Sequence, residues 1–161
     1  MSDELLSIYL NDHLAGLTAG VELAERCRGN NPEEPLQSLL AEARDGFQHE
    51  RSLLRDLLQR LEAREDSLKQ GAAWVSEKLG RLKSNGSLVG YSELSRVLEL
   101  EALVAVAEGS NLLWESLAQR HAHDSRLATL DLTALQTSTG QRLERLRAQH
   151  RSAVARAFAD R

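Results

Sequence analysis

Four places in this 161-residue chain put a polar side chain where the pattern asks for an apolar one. His13 falls beside Tyr9 near the stripe Leu6, Leu10, Leu14 and Leu17. Glu50 lies between Phe47 and Leu54. Glu101 and Glu108 are seven residues apart, two turns along one helix face, with Val97 and Val104 around them. His150 follows Leu143 and Leu146. Carboxylates and imidazoles projecting from facing helices are how bundles hold paired iron or manganese ions. The recurring arrangement there is one Glu on each of two helices and Glu-x-x-His on each of the other two, the spacing placing both ligands on one face. Glu50, Glu101, Glu108 and His13 are therefore the candidate metal ligands. No Glu-x-x-His occurs in the chain. The nearest analogue, Asp45-x-x-x-His49, lies beside the main stripe, and Glu144 and His150 do not point together. The competing reading is structural: a buried carboxylate needs a hydrogen-bonding or charged partner, and the arginines and histidines can supply one.

Other chemistry finds less support. Cys27 is the only cysteine, and it sits at the end of a helix, where the dipole raises a thiol pKa. No G-x-S-x-G, Walker A or dinucleotide fingerprint occurs. His121-Ala122-His123 falls on an expected loop. Trp74 and Trp114 read as packing anchors. Arg142, Arg145, Arg147, Arg151, Arg156 and Arg161 give the last 21 residues six bases against two acids, which could form a phosphate-binding stripe. No aromatic residues are interleaved for base stacking, so a solvated face complementing the C-terminal dipole is the preferred reading, without nucleic acid.

The elements that must position these residues are helical. A first helix is predicted over Asp3–Arg28, ended by Gly29-Asn30-Asn31-Pro32. Gly16, Ala19 and Gly20 are small enough to let a neighbour approach. Glu33, Glu34 and Pro35 open a second helix running to about Arg64, with Leu36, Leu39, Leu40, Ala43, Phe47, Leu54, Leu57, Leu58 and Leu61 on its buried side. The short loop makes these two an antiparallel hairpin. Asp66 or Ser67 caps a shorter stretch over 68–83, which is long and apolar enough to travel the bundle as a crossover. Ser92 caps a third helix, 92–120, apolar nearly all round from Val97 to Ala107 and hence buried on more than one side or at an oligomer interface. A fourth, capped by Asp124 or Asp131, reaches about Asp160 and carries Gly140 in its middle, where a kink or a close contact is expected.

The composition agrees. Apolar residues at 42% and charged residues at 27% belong to a globular chain, with a core drawn from Leu and Ala and one Ile in all. Both prolines precede residue 36. The net charge of −4, the acidic start and the lack of a long apolar run predict a cytoplasmic protein without a membrane span.

The order of long hairpin, helical crossover and second long hairpin resembles the ferritin-like superfamily. The resemblance implies an all-α, antiparallel four-helix bundle with a crossover between helices 2 and 3, filling residues 1–161 as one domain. It also implies single metal-ligand glutamates, for which Glu22 and Glu101 stand in suitable contexts. Without Glu-x-x-His on the second and fourth helices, no ligand transfers by motif. Tyr9-Leu10-Asn11-Asp12-His13-Leu14-Ala15-Gly16 and Ala73-Trp74-Val75-Ser76-Glu77-Lys78-Leu79-Gly80-Arg81-Leu82 also resemble a group of uncharacterised bacterial helical proteins. The expected function is that of a non-enzymatic structural or interaction protein without a cofactor, a homodimer through helix three or the crossover. The alternative is an iron- or manganese-binding redox or stress protein.

Overall fold

The computed structural model describes residues 2–65 and 91–159, and among them the chain is all-helical, with no strand. Four long helices carry it: α1 (Asp3–Asn30), α2 (Leu36–Arg60), α3 (Glu93–Arg120) and α4 (Leu132–Ala157). The expected helical stretch over 68–83, with Trp74, lies outside the described residues, as does Arg161. No described helix is long and apolar enough to cross a membrane.

The starts of three helices follow from their capping side chains. Ser2, Ser92 and Asp131 accept hydrogen bonds from the backbone N–H of Leu5, Ser95 and Ala134, each satisfying an otherwise orphaned donor. Of the two caps open for the fourth helix, Asp131 is the one used. Asp124 instead caps a single 3-10 turn, Ser125–Leu127. At α2 the acids lie before the helix, and Glu34 accepts from the Ser38 hydroxyl at 2.8 Å. α2 ends at Arg60, short of the expected Arg64. Glu62 adopts a left-handed φ of 52°, and Ala63 N–H reaches back to Leu58 C=O at 3.0 Å while Glu62 N–H bonds Gln59 C=O. That pair of bonds is a Schellman stop, here built without the glycine that usually takes the left-handed position.

The core is the expected leucine-rich one. Leu6, Leu10, Leu14 and Leu17 of α1 pack with Leu40, Phe47 and Leu54 of α2, Leu100, Leu103 and Trp114 of α3, and Leu143 and Leu146 of α4. Named contacts fix which residues face one another. Between α1 and α3, Tyr9 OH bonds Ser116, Gly20 lies against Val106, and Arg26 meets Glu99. On the α2 side, Asn11 Nδ2 bonds Arg64 C=O and Arg44 pairs with Glu25. Between α3 and α4, Thr139 bonds Asn111 and Arg147 pairs with Glu108. Gly20 is used as its size predicts, since a Cβ there would crowd Val106 and Phe47. Gly140 is not: a Cβ would meet only Asn111 Oδ1, at 3.9 Å.

One end is tied by a charged hub. Asp124, 6% exposed, accepts from Arg120 and Arg126, and Arg126 reaches on to Asp3 at the start of α1. The two guanidinium groups hold the Asp124 carboxyl well below the ordinary carboxylate range, Arg126 contributing most.

Candidate functional site

The most deeply buried charge cluster joins three helices around Glu50. Phe47, Glu50 and Leu54 share the inward stripe of α2, so the Glu50 carboxylate points into the bundle, where it is 2% exposed. Its Oε2 accepts from the Ser110 hydroxyl and, at 2.8 Å, from Trp114 Nε1, both on α3. Its Oε1 pairs with the Arg142 guanidinium of α4. Arg142 is itself 9% exposed, and its guanidinium carbon sits 4.7 Å from the centre of the Phe47 ring. Both carboxylate oxygens are thereby used, and the buried negative charge is balanced within the fold.

Gly46 makes this geometry possible. A Cβ at position 46 would overlap the Arg142 guanidinium, so the arginine crosses α2 over bare backbone. Beside the crossing, α2 and α4 stand apart around a cleft of about 340 Å³ lined by His49, Ser138, Gln141 and Arg145 as well as the pair itself. Arg145 closes over its rim to Glu42.

A second buried carboxylate, Glu99 of α3, is fully enclosed near the turn between α1 and α2. Its Oε2 accepts from Tyr91 OH at 2.9 Å. Tyr91 OH in turn accepts from Asn31 Nδ2, which also bonds Cys27 C=O. Arg26 lies 2.8 Å from Glu99 Oε1 as an ion pair without a hydrogen bond to that oxygen, its own side chain 43% exposed. Burial, and then the Glu99 charge, push the Cys27 thiol up to about 12, so it is no nucleophile at neutral pH. Burial likewise raises the Tyr91 hydroxyl and keeps it a proton donor.

The four candidate ligands are dispersed. Glu50 is buried on Arg142. Glu101 is exposed on α3, and Glu108 pairs with Arg147. His13 packs edge-on against Tyr9 at 4.5 Å between ring centres, on the α1–α3 groove, where burial lowers its pKa. His150 is half-buried on α4. Among the described residues no three His, Cys, Asp or Glu side chains gather as a metal would need. The residues present do not fit a paired-metal centre, because a guanidinium occupies the coordination face of the one fully inward candidate glutamate. Of the arginine stripe, Arg142, Arg145 and Arg147 are spent on glutamates, leaving Arg151 and Arg156 exposed.

Sequence reasoning put Arg142 on a solvated arginine face, whereas it is 9% exposed and paired with Glu50, and it missed Ser110 and the Glu99 group. Arg142 had a signal: Leu135, Thr139, Arg142 and Leu146 recur at spacings of four, three and four, which puts the arginine on the core stripe of α4. Glu99 also interrupts an apolar run. Its partners Tyr91, Asn31 and Arg26 come from distant positions that no local pattern connects.

No family model matches the chain, and neither a curated protein nor a solved structure matches it.

Proposed function

We propose that this chain is a ferritin-like helical bundle that works as an interaction protein, its interior closed by an arginine–glutamate pair in place of a metal centre. The contact pairs support the connectivity. Residues 9 to 26 of α1 meet residues 116 to 99 of α3 in reverse order, and residues 11 and 25 meet 64, just past the end of α2, and 44 within it. Residues 108 and 111 meet 147 and 139 in the same reversed sense. Antiparallel neighbours of that kind make α2 and α3 parallel. The chain leaves α2 beside Asn11 and returns at Tyr91 beside Asn31, about 30 Å apart along α1, which calls for a crossover.

The single observation that carries the non-metal reading is the full engagement of Glu50 by Arg142, Ser110 and Trp114. The test is elemental analysis of the full chain after anaerobic loading with Fe(II) or Mn(II) and desalting. No stoichiometric metal is expected. Stoichiometric metal that is lost on Glu50→Ala or Glu101→Ala overturns the reading in favour of a redox or stress protein.

A further inference from the structure

We infer that the outward strip of α3 pairs antiparallel with the same strip of a second copy, forming a homodimer whose two-fold axis passes beside Ala105. This deepens the interaction reading above by naming its surface and its partner.

The strip is visible as a pattern. Leu98, Ala102, Ala105, Gly109, Leu112 and Ser116 recur at alternating spacings of four and three, the repeat of a coiled-coil seam. Ala105 and Ser116 are exposed and Leu112 is 48% exposed, while Leu98, Ala102 and Gly109 are half-buried, Ala102 against the edge of the core. Such a seam on the solvent side of a helix whose inner side is already packed has no partner among the described residues. Among those residues the space over it is open. A Cβ on Gly109 meets nothing within 4 Å, nor does one on Gly16 across the adjoining groove, where a hollow of about 160 Å³ lies beside Ala105 and Val106.

The order of sizes selects the second copy and the direction. Large residues stand at the ends and small ones between, so an antiparallel pair centred on Ala105 sets Leu98 opposite the partner's Leu112 and lets the backbones approach at Ala102, Ala105 and Gly109. Leu94, 37% exposed, then falls opposite the partner's Ser116. Ser116 is the residue that Tyr9 bonds, so Leu94 comes beside the partner's Ile8 and Leu5. Of the five large apolar side chains left exposed among the described residues, four, Leu5, Ile8, Leu94 and Leu112, are covered by this one arrangement.

Charge agrees with the same register. Glu101 is exposed and has no ion pair among the described residues, while Arg147 stands half-exposed beside Glu108. The antiparallel pairing carries the partner's Arg147–Glu108 pair to the level of Glu101, and symmetry repeats the contact. A parallel pair would instead set Glu101 against Glu101. From Leu94 to Ser116 the strip is about 33 Å long. With the flanking α1 surface, about 20 Å wide in all, it offers on the order of 650 Å² per protomer, close to the ~800 Å² of a standard interface.

The test is sedimentation of the full chain at micromolar concentration, with cysteine cross-linking for the register. A dimer is expected. Ala105→Arg should give a monomer with unchanged helical circular dichroism, because Ala105 is exposed in the protomer. Under mild oxidation Ala105→Cys should cross-link to itself. Leu112→Cys alone should not, whereas Leu98→Cys combined with Leu112→Cys should. Glu101→Arg should weaken the dimer about tenfold or more, and adding Arg147→Glu should recover most of that loss. A monomeric wild type overturns the inference, as does a dimer indifferent to Ala105→Arg in which Ala105→Cys does not cross-link. A monomer would leave the metal assay, and with it the closed-interior reading, untouched.

Discussion

Glu50 and Glu99 are buried to nearly the same degree, yet the first meets an arginine that is itself enclosed and the second an arginine whose side chain is 43% exposed. Around Glu50 both members of the pair have left water, so the desolvation of two ions is offset only by their mutual geometry and by Ser110 and Trp114. Around Glu99 the arginine keeps part of its hydration, and a single neutral donor, Tyr91 OH, itself held by Asn31, serves the other oxygen. The first arrangement fails as a unit. The second is partly replaceable by solvent. A fold that encloses both members of an ion pair in the first way has tied three helices together at one point.

The largest effect expected follows from that difference. Arg142→Ala leaves a buried carboxylate without its counter-charge and should cost about 3–5 kcal/mol in urea denaturation. Replacing both partners, Glu50→Leu with Arg142→Leu, should return most of that loss, since an apolar pair needs no counter-charge. A double variant as unstable as the single one would break the comparison.

The Glu99 group should respond more mildly and unequally. Tyr91→Phe removes the donor to Glu99 Oε2 and leaves Asn31 Nδ2 with Cys27 C=O but without its acceptor on Tyr91, for an expected loss of about 1–3 kcal/mol. Arg26→Ala removes a partner that already reaches solvent, so water can follow into the gap, and it should cost less than Arg142→Ala. If Arg26→Ala matched Arg142→Ala in the same denaturation assay, solvent would not be the substitute argued here.

The helices were legible because their signals are local. Ser2, Ser92 and Asp131 announce starts, and the Leu–Ala stripes announce inner faces. The early stop of α2 was not, because Glu62 takes a left-handed turn that sequence assigns to glycine or asparagine. Within the site, Glu50 was legible as a break in a stripe. Its partner lies 92 positions away, and a pairing across that distance depends on how helices sit together, which periodicity does not encode. Glu101 and Glu108 share a sequence face, but one faces solvent and the other Arg147, because a helix apolar all round gives no local sign of which side is inside.

Acid sharpens the comparison from the periphery, where protonation is coupled to folding in two stages. Burial lowers the His13 pKa from its ordinary 6.5, so the unfolded chain binds a proton first, and stability should begin to fall as pH drops below about 6.5. Arg28 and Arg44 hold the Glu25 carboxyl at about 2, and Arg126 and Arg120 hold Asp124 low. Their stabilisation is complete above the ordinary carboxylate range and lost as pH falls through about 4 toward 2. Denaturation midpoints from pH 7.5 to 3 should therefore show two declines, and His13→Gln should erase the upper one alone.

The last prediction separates two glycines that the sequence makes look alike. Gly46 and Gly140 both lie inside helices, where glycine costs about 1 kcal/mol relative to alanine. At Gly46 the missing Cβ is the passage for Arg142, so Gly46→Ala should push the guanidinium off Glu50 and approach the loss expected of Arg142→Ala. At Gly140 the nearest atom to a new Cβ is 3.9 Å away, an ordinary contact, and the backbone is regular helix. Gly140→Ala should therefore stabilise by about 1 kcal/mol, raising the melting temperature by about 2–4 °C. A loss at position 140 would mean that α4 needs its flexibility there. A gain at position 46 would mean that the arginine reaches Glu50 by some route other than across bare backbone.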